Sequence, residues 1–158
     1  EEFGSKNKYV LNGGKCQIGV ESTIINLTAK PTILRFGGLD ISKIEKILKR
    51  RILINTKSKK KIAPGQFHLH YSPGIPLRTN VKKPKNNEAF LLIKKRKITF
   101  KNYYYLSKKN DLKQVAKNLY SLLRNIKKKG YKMIAVEKIP NIGIGKTIND
   151  RLNRASKY

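Results

Sequence analysis

Tryptophan is absent from this 158-residue chain, cysteine and methionine occur once each, and histidine occurs twice. The single cysteine, Cys16, excludes an internal disulfide and a cysteine-built zinc site, and it points to a reducing compartment. No apolar run approaches the roughly 18 to 20 residues of a membrane span, and no signal peptide is visible. The expected location is therefore the cytoplasm, with no membrane partner. The first residue is not methionine, so the chain reads as starting inside a longer protein, with part of Phe3 to Ser5 alternatively a cloning scar.

Carboxylates are scarce, at 9 Asp+Glu against 37 Lys+Arg, for a formal charge of +28. Such a field attracts any polyanion. Lysine far outnumbers arginine, however, and Ile and Asn are abundant, which is the pattern of an AT-rich genome drifting at surface positions. Bidentate phosphate or guanine recognition would favour arginine. Charge alone therefore does not establish a nucleic-acid site. A hydrophobic content of 39% supports a packed core, in one ordinary domain or two small ones.

Tyr9-Val-Leu11 is a short apolar run stopped by the turn signal Asn12-Gly13-Gly14. Thr23 to Leu27 and Thr32 to Arg35 read as strands forming a hairpin-like pair, the second ended by Gly37-Gly38. Asp40 or Ser42 can cap a helix whose Ile44, Ile47 and Leu48 form a core stripe before basic Lys49-Arg50-Arg51. Lys57 to Lys61 is a charge run suited to a solvated linker. Beyond Asn87, Ala89 to Ile93, Tyr103 to Leu106 and Lys132 to Val136 read as strands. The clearest helix spans Leu112 to Lys129. Asp111 caps it with Gln114 placed for a capping box, Leu112, Val115, Ala116, Leu119, Leu122, Leu123 and Ile126 lie on its stripe, and Gly130 closes it. A last helix, Lys146 to about Ser156, puts Ile148, Leu152 and Ala155 on one side, with Asp150 early and Arg154 late to suit the helix dipole. The order is α/β in the second half. The first half reads as α+β and incomplete.

Both histidines, His68 and His70, fall in the uncharged stretch Ala63 to Pro76, bracketed by Pro64, Pro73 and Pro76. Each proline fixes φ and removes a donor, so the chain crosses here in extended form. It carries His70-Tyr71, a pair suited to stacking on a base or bonding a phosphate, or it is a surface linker with an incidental histidine. His68 and His70 at i, i+2 admit a metal pair, but no cysteine or carboxylate cluster completes a shell, and no metal site is assigned. Ser22 and Thr23 precede a strand behind Gly13-Gly14 and Gly19, turns that let a ligand approach the backbone; hydroxyls there are also ordinary turn-makers. Arg35 ends a strand beside two glycines, where a guanidinium meets little side-chain competition for a phosphate or is merely solvated. Asn141-Ile-Gly-Ile-Gly145 suits an anion cradle or a plain turn.

Four segments, in this order, resemble the long, two-domain form of the threonylcarbamoyl-AMP synthase family. They are Asn12 to Ile25 with its Gly-Val-Glu-Ser-Thr, Ile33-Leu-Arg-Phe-Gly37, Ala63-Pro-Gly-Gln through His70-Tyr-Ser-Pro73 to Pro76-Leu-Arg78, and Gly143-Ile-Gly-Lys-Thr-Ile-Asn-Asp-Arg-Leu-Asn-Arg-Ala155. The resemblance implies an α/β fold with residues 1–56 as the C-terminal part of a YrdC-like catalytic domain, 57–86 as a linker lying over the active site, and 87–158 as a small Rossmann-like domain. It implies ATP, L-threonine and bicarbonate as substrates, with Mg²⁺ accompanying ATP. The product is threonylcarbamoyl-AMP, which reaches tRNA through downstream modification enzymes; double-stranded RNA binding is a further family association. By the same likeness Ser22, with Thr23 adjacent, contacts threonine, Arg35 contacts ATP phosphate, and His70 and Tyr71 close over the nucleotide. No residue of this chain is assigned as a covalent catalyst.

Two departures carry expectations. Phe36 stands where the family usually has proline, which frees Arg35 from the pre-proline restriction and is expected to loosen its aim. The family's N-terminal half, with a lysine-arginine pair and a Ser-x-Asn segment for ATP, has no counterpart here. The chain alone is therefore expected to be inactive, with strand edges awaiting another segment. The rival reading is a noncatalytic basic module that binds tRNA or a partner protein.

Overall fold

The computed structural model describes residues 9, 11–14, 16–56, 62–64 and 71–156. The first unit begins with β1 (Ile24–Asn26) and β2 (Thr32–Arg35), paired antiparallel with Ile24 opposite Arg35 and a register shift between Ile24 and Ile25. The Asn26 side chain holds the turn, accepting from the Thr28 N–H at 2.8 Å. Helix α1 (Ile41–Leu48) then returns the chain to β3 (Leu53–Ile54), which lies parallel to β2. Asp40 is the cap, its Oδ1 accepting from the Ser42 N–H at 3.1 Å. The small core here joins Ile33, Ile41 and Ile52 with Ile25, Phe36 and Ile44.

The expected stripe on α1 holds only in part. Ile44 faces the core, but Ile47 is 80% exposed and Leu48 38% exposed. At roughly 100° per residue Ile47 falls about 120° round from Ile41, the residue that is buried instead. Tyr9 and Leu11 lie outside any strand and are exposed.

The second unit is a parallel sheet in the order β4-β7-β5-β6, from β4 (Leu77–Arg78), β5 (Glu88–Leu92), β6 (Tyr103–Tyr105) and β7 (Met133–Val136). Strand β4 falls inside the stretch 57–86 read as linker, and its Leu77 pairs with Ile134. All of β5 is buried, as a central parallel strand requires. Its single charge, Glu88, is 1% exposed and held by Arg78 Nε and Nη2 at 2.6 Å each.

Helix α2 (Leu112–Lys128) starts on Asp111, whose carboxylate accepts from the Lys113 N–H at 2.9 Å. Gln114 does not complete a capping box: its Oε1 accepts from the Lys108 N–H, and the Asp111 N–H donates to Ser107 Oγ. Gly130, at φ +84°, turns the chain out of the helix. Helix α3 (Gly145–Ala155) follows β7.

The stripes of α2 and α3 enter one cluster with Ala89, Leu91, Ile134 and Val136. The opposite face of the sheet buries Phe90, Leu92 and Ala135 under Val81, Tyr103 and Tyr105. Val20, ahead of β1, also joins the α2–α3 cluster. The two units therefore share packing on the segment that leads into the candidate site. Among the described residues no helix is long and apolar enough to cross a membrane.

Candidate functional site

Arg35 ends β2 directly across from the lead into β1, so its side chain reaches back over Ser22. Nε donates to Ser22 O at 3.1 Å, Nη2 to Ser22 Oγ at 3.1 Å, and Nη1 to Pro64 O at 3.4 Å. The structure thus brings together two of the predicted residues and the start of the proline-bracketed stretch. Arg35 is 8% exposed, and its guanidinium meets backbone and hydroxyl acceptors where the sequence suggested little competition. It is also not loosely aimed, because these bonds hold it whether or not proline follows.

Ser22 is exposed, and an oxygen that accepts from Arg35 keeps its own proton to donate. Thr23 turns away from it: Thr23 Oγ1 donates to Leu39 O at 2.9 Å, which staples the strand lead to the loop before α1. Gly37 permits this closeness, since a Cβ there would stand 2.1 Å from Ser22 C. Gly19, at φ +77°, admits the backbone of α2, with Lys117 Cα 2.3 Å from where its Cβ would be. The close approach read from that glycine is a packing contact, not a ligand path. Gly145 is likewise packed against Pro140 O, so the segment 141–145 serves as a turn into α3.

Tyr71 sits at φ +76°, a left-handed conformation that costs a tyrosine about 1–3 kcal/mol unless its surroundings enforce it. They do. Its ring stacks on Tyr120 of α2 at 5.5 Å and 21°, and the Arg151 guanidinium lies 4.6 Å from the ring centroid. Burial, reinforced by a hydrogen bond to Glu21, pushes the Tyr71 hydroxyl up to about 12, so it stays a donor through the neutral range. For Glu21, burial alone would raise the carboxyl. The Tyr71 hydroxyl and the Arg151 charge outweigh it and leave the carboxyl below its ordinary range. The charge of Arg35 also reaches the Tyr71 hydroxyl. Residues 65–70, with His68 and His70, lie outside the described residues.

Sequence reasoning missed the cations that tie these parts together. Arg151 on α3 has no exposed side-chain surface; it donates to Glu21 Oε2 at 3.2 and 3.1 Å, to Phe36 O at 2.7 Å and to Asp150 at 2.7 Å. Arg154 donates to Thr56 O at 2.8 Å and to Asp150, and Thr147 Oγ1 donates to Gly37 O at 2.8 Å. Asp150 and Arg154, read as dipole partners, are members of this buried network. The signal was present: Arg151 shares a helix face with Ile148, Leu152 and Ala155, and an arginine on an apolar stripe needs a buried partner.

The described residues contain no group of three or more His, Cys, Asp or Glu able to hold a metal ion. Mg²⁺ commonly takes one or two carboxylates plus phosphate oxygens. Glu21, the carboxylate next to Ser22, is engaged by Arg151 and Tyr71, so these residues do not build a magnesium shell.

Residues 39–157 match the family described as threonylcarbamoyl-AMP synthase, C-terminal domain. The chain belongs to the threonylcarbamoyl-AMP synthase family. It is 30% identical over 179 residues to the threonylcarbamoyl-AMP synthase of Pyrococcus abyssi, covering 100% of this chain and 52% of the relative. With that of Bacillus subtilis it shares 26% identity over 166 residues, covering 93% and 48%. The crystal structure of P. abyssi Sua5 complexed with L-threonine superposes with a TM-score of 0.82 at 28% identity, over 98% of this chain and 51% of that one. A variant of P. abyssi Sua5 with an adjacent His-Tyr pair changed to alanine gives a TM-score of 0.71 at 26% identity, over 91% and 47%. The chain thus spans about half the length of the synthases it matches. Its mixed α/β architecture, with a parallel sheet and, among the described residues, three helices, is that of the solved synthase.

Proposed function

We propose that this chain is part of an ATP-dependent L-threonylcarbamoyladenylate synthase that acts in tRNA modification in the cytoplasm. It would supply the end of a YrdC-like domain (1–56), a linker lid (57–86) and a small Rossmann-like domain (87–158). The observation that carries the reading is the Ser22–Arg35 pair with Tyr71 held beside it. The exposed Ser22 hydroxyl suits the ammonium or carboxylate of threonine, a molecule that the P. abyssi relative binds. Threonine and bicarbonate condense to a carbamate with loss of water; a carbamate oxygen attacks the α-phosphate of ATP as the bond from that phosphorus to the oxygen bridging the β-phosphate breaks, and pyrophosphate leaves.

Such a transfer needs positioning and charge neutralisation more than a covalent nucleophile. Arg35 supplies the charge by exchanging Pro64 O and Ser22 Oγ for phosphate oxygens. His70 and Tyr71 then exclude water from the mixed anhydride.

The lysine-arginine pair and Ser-x-Asn segment of the family's N-terminal half would complete the ATP site, so the chain alone is inactive. Leu53 and Ile54, 57% and 59% exposed on β3, support a sheet that continues into that half. The test is pyrophosphate release by the full-length protein, dependent on threonine and bicarbonate. Arg35→Ala is expected to lower it by about 10²-fold or more, and Tyr71→Phe to lower it measurably. Unchanged rates in both would sink the assignment.

A second reading, binding of tRNA, has its own observation. Two adjoining depressions of about 850 and 570 Å³ share Asn86 and Asn102 and lie along the N-terminal ends of β5 and β6. They are lined by lysines, among them Lys82, Lys101 and Lys129, and by Phe100, Tyr104 and Tyr131, with no acidic residue. Such a surface suits backbone phosphates with stacked bases. tRNA affinity that persists at high salt supports it, whereas steep loss marks a polycation only.

A further inference from the structure

We propose that Arg151 is the positioning residue through which the last helix holds the candidate site in register. The proposal rests on reading Ser22, Arg35 and Tyr71 as that site. Arg151 touches none of the reacting groups. Its partners, however, are the residue before Ser22, the residue after Arg35, and Tyr71 itself. One planar guanidinium thus spans three segments, across 130 residues of chain to Glu21 and 115 to Phe36.

A buried arginine is not the cheapest way to join two units. Well-packed apolar side chains commonly do as well or better. What the guanidinium adds is geometry, because a rigid fork fixes the carboxylate, the carbonyl and the aromatic plane relative to one another at once. The backbone is joined at the same place: the Gly38 N–H donates to Glu21 O at 2.8 Å, so the segments flanking Ser22 and Arg35 meet beside the guanidinium. Lysine has the charge but not the planar fork, so it cannot hold the carboxylate, the carbonyl and the aromatic plane in one fixed arrangement. Leu152 is the matched comparison, since it is buried on the same helix but takes its place in the apolar cluster between the helices and the sheet.

The experiment uses the full-length protein carrying Arg151→Lys, Arg151→Met or Leu152→Ala. Three quantities are measured: threonine KM and kcat for pyrophosphate release, thermal midpoint, and hydrogen exchange of the Gly38 amide. Arg151→Lys is expected to raise threonine KM at least tenfold and to speed Gly38 exchange at least tenfold. Leu152→Ala, with an equal or larger fall in midpoint, is expected to leave KM and Gly38 exchange near wild type.

Equal effects of Arg151→Lys and Leu152→Ala would reduce Arg151 to structural glue and overturn the proposal. So would wild-type KM and exchange in both Arg151 variants. Absence of threonine-dependent turnover in the wild type would instead refute the functional reading, while the Gly38 exchange comparison would still decide whether Arg151 sets the local geometry.

Discussion

Replacing Asp150 with alanine removes the shared anion of two buried cations. Asp150 accepts from Arg151 Nη1 at 2.7 Å and from Arg154 Nε and Nη2 at 3.1 Å each. The two arginine side chains are 0% and 8% exposed, so water cannot take over. Breaking a buried pair by removing one partner costs about 3–5 kcal/mol. Arg151 keeps Glu21 and Phe36 O, and Arg154 keeps Thr56 O, which places the loss near the lower end, about 3 kcal/mol.

Asp111→Ala is the control. It makes the same change in net charge on a chain already at +28 but removes only an exposed helix cap, at about 1 kcal/mol. For a chain of this size about 1 kcal/mol moves the midpoint by roughly 2–4 °C. Thermal unfolding followed by circular dichroism should therefore separate the two by several degrees, with Asp150→Ala the lower. If Asp150→Ala melts no earlier than Asp111→Ala, the network is not holding α3 in place.

Two further outcomes follow from the site. Because the Glu21 carboxyl lies below its ordinary 4.5, its stabilising contribution is full above that value and is lost as pH falls through the lowered one. Glu88 is lowered in the same direction by Arg78, so the measurement is the difference in acid-unfolding slope between wild type and Glu21→Gln; identical slopes would show that Glu21 is not paired as described. Gly37→Ala would place a Cβ 2.1 Å from Ser22 C and Thr23 N, backbone atoms that cannot yield, whereas Gly13→Ala meets nothing within 4 Å. Calorimetric threonine binding by the full-length protein should be lost in the first and kept in the second; equal binding would refute the close packing of Ser22 on Gly37.

Much of the local structure was legible because its causes are local. Strand β2 lies on Thr32 to Arg35 as its β-branched start and following glycines suggested, and α2 starts and ends on the cap and the glycine that mark it. The misreadings have a common form. Ile44, Ile47 and Leu48 have the spacing of a core stripe, but the face that packs is the one carrying Ile41 and Ile44, which leaves Ile47 exposed. Gln114 has the spacing of a capping box but found a better donor in the loop before it. Gly19 announced a close approach, yet nothing near it in the chain tells whether a ligand or a helix arrives.

By itself the sequence determined β1, β2, β5, β6, β7 and the helices in their order, the family, and the hairpin that sets Ser22 and Arg35 at neighbouring ends. Only the tertiary structure decided that Leu77–Arg78 would add a strand to the second sheet, and that Arg151 would join Glu21, Phe36 and Tyr71. Hydrophobic periodicity reports that a helix face is buried, but not against what. The partner of a buried charge 130 residues away is chosen when the two units dock and water is excluded between them.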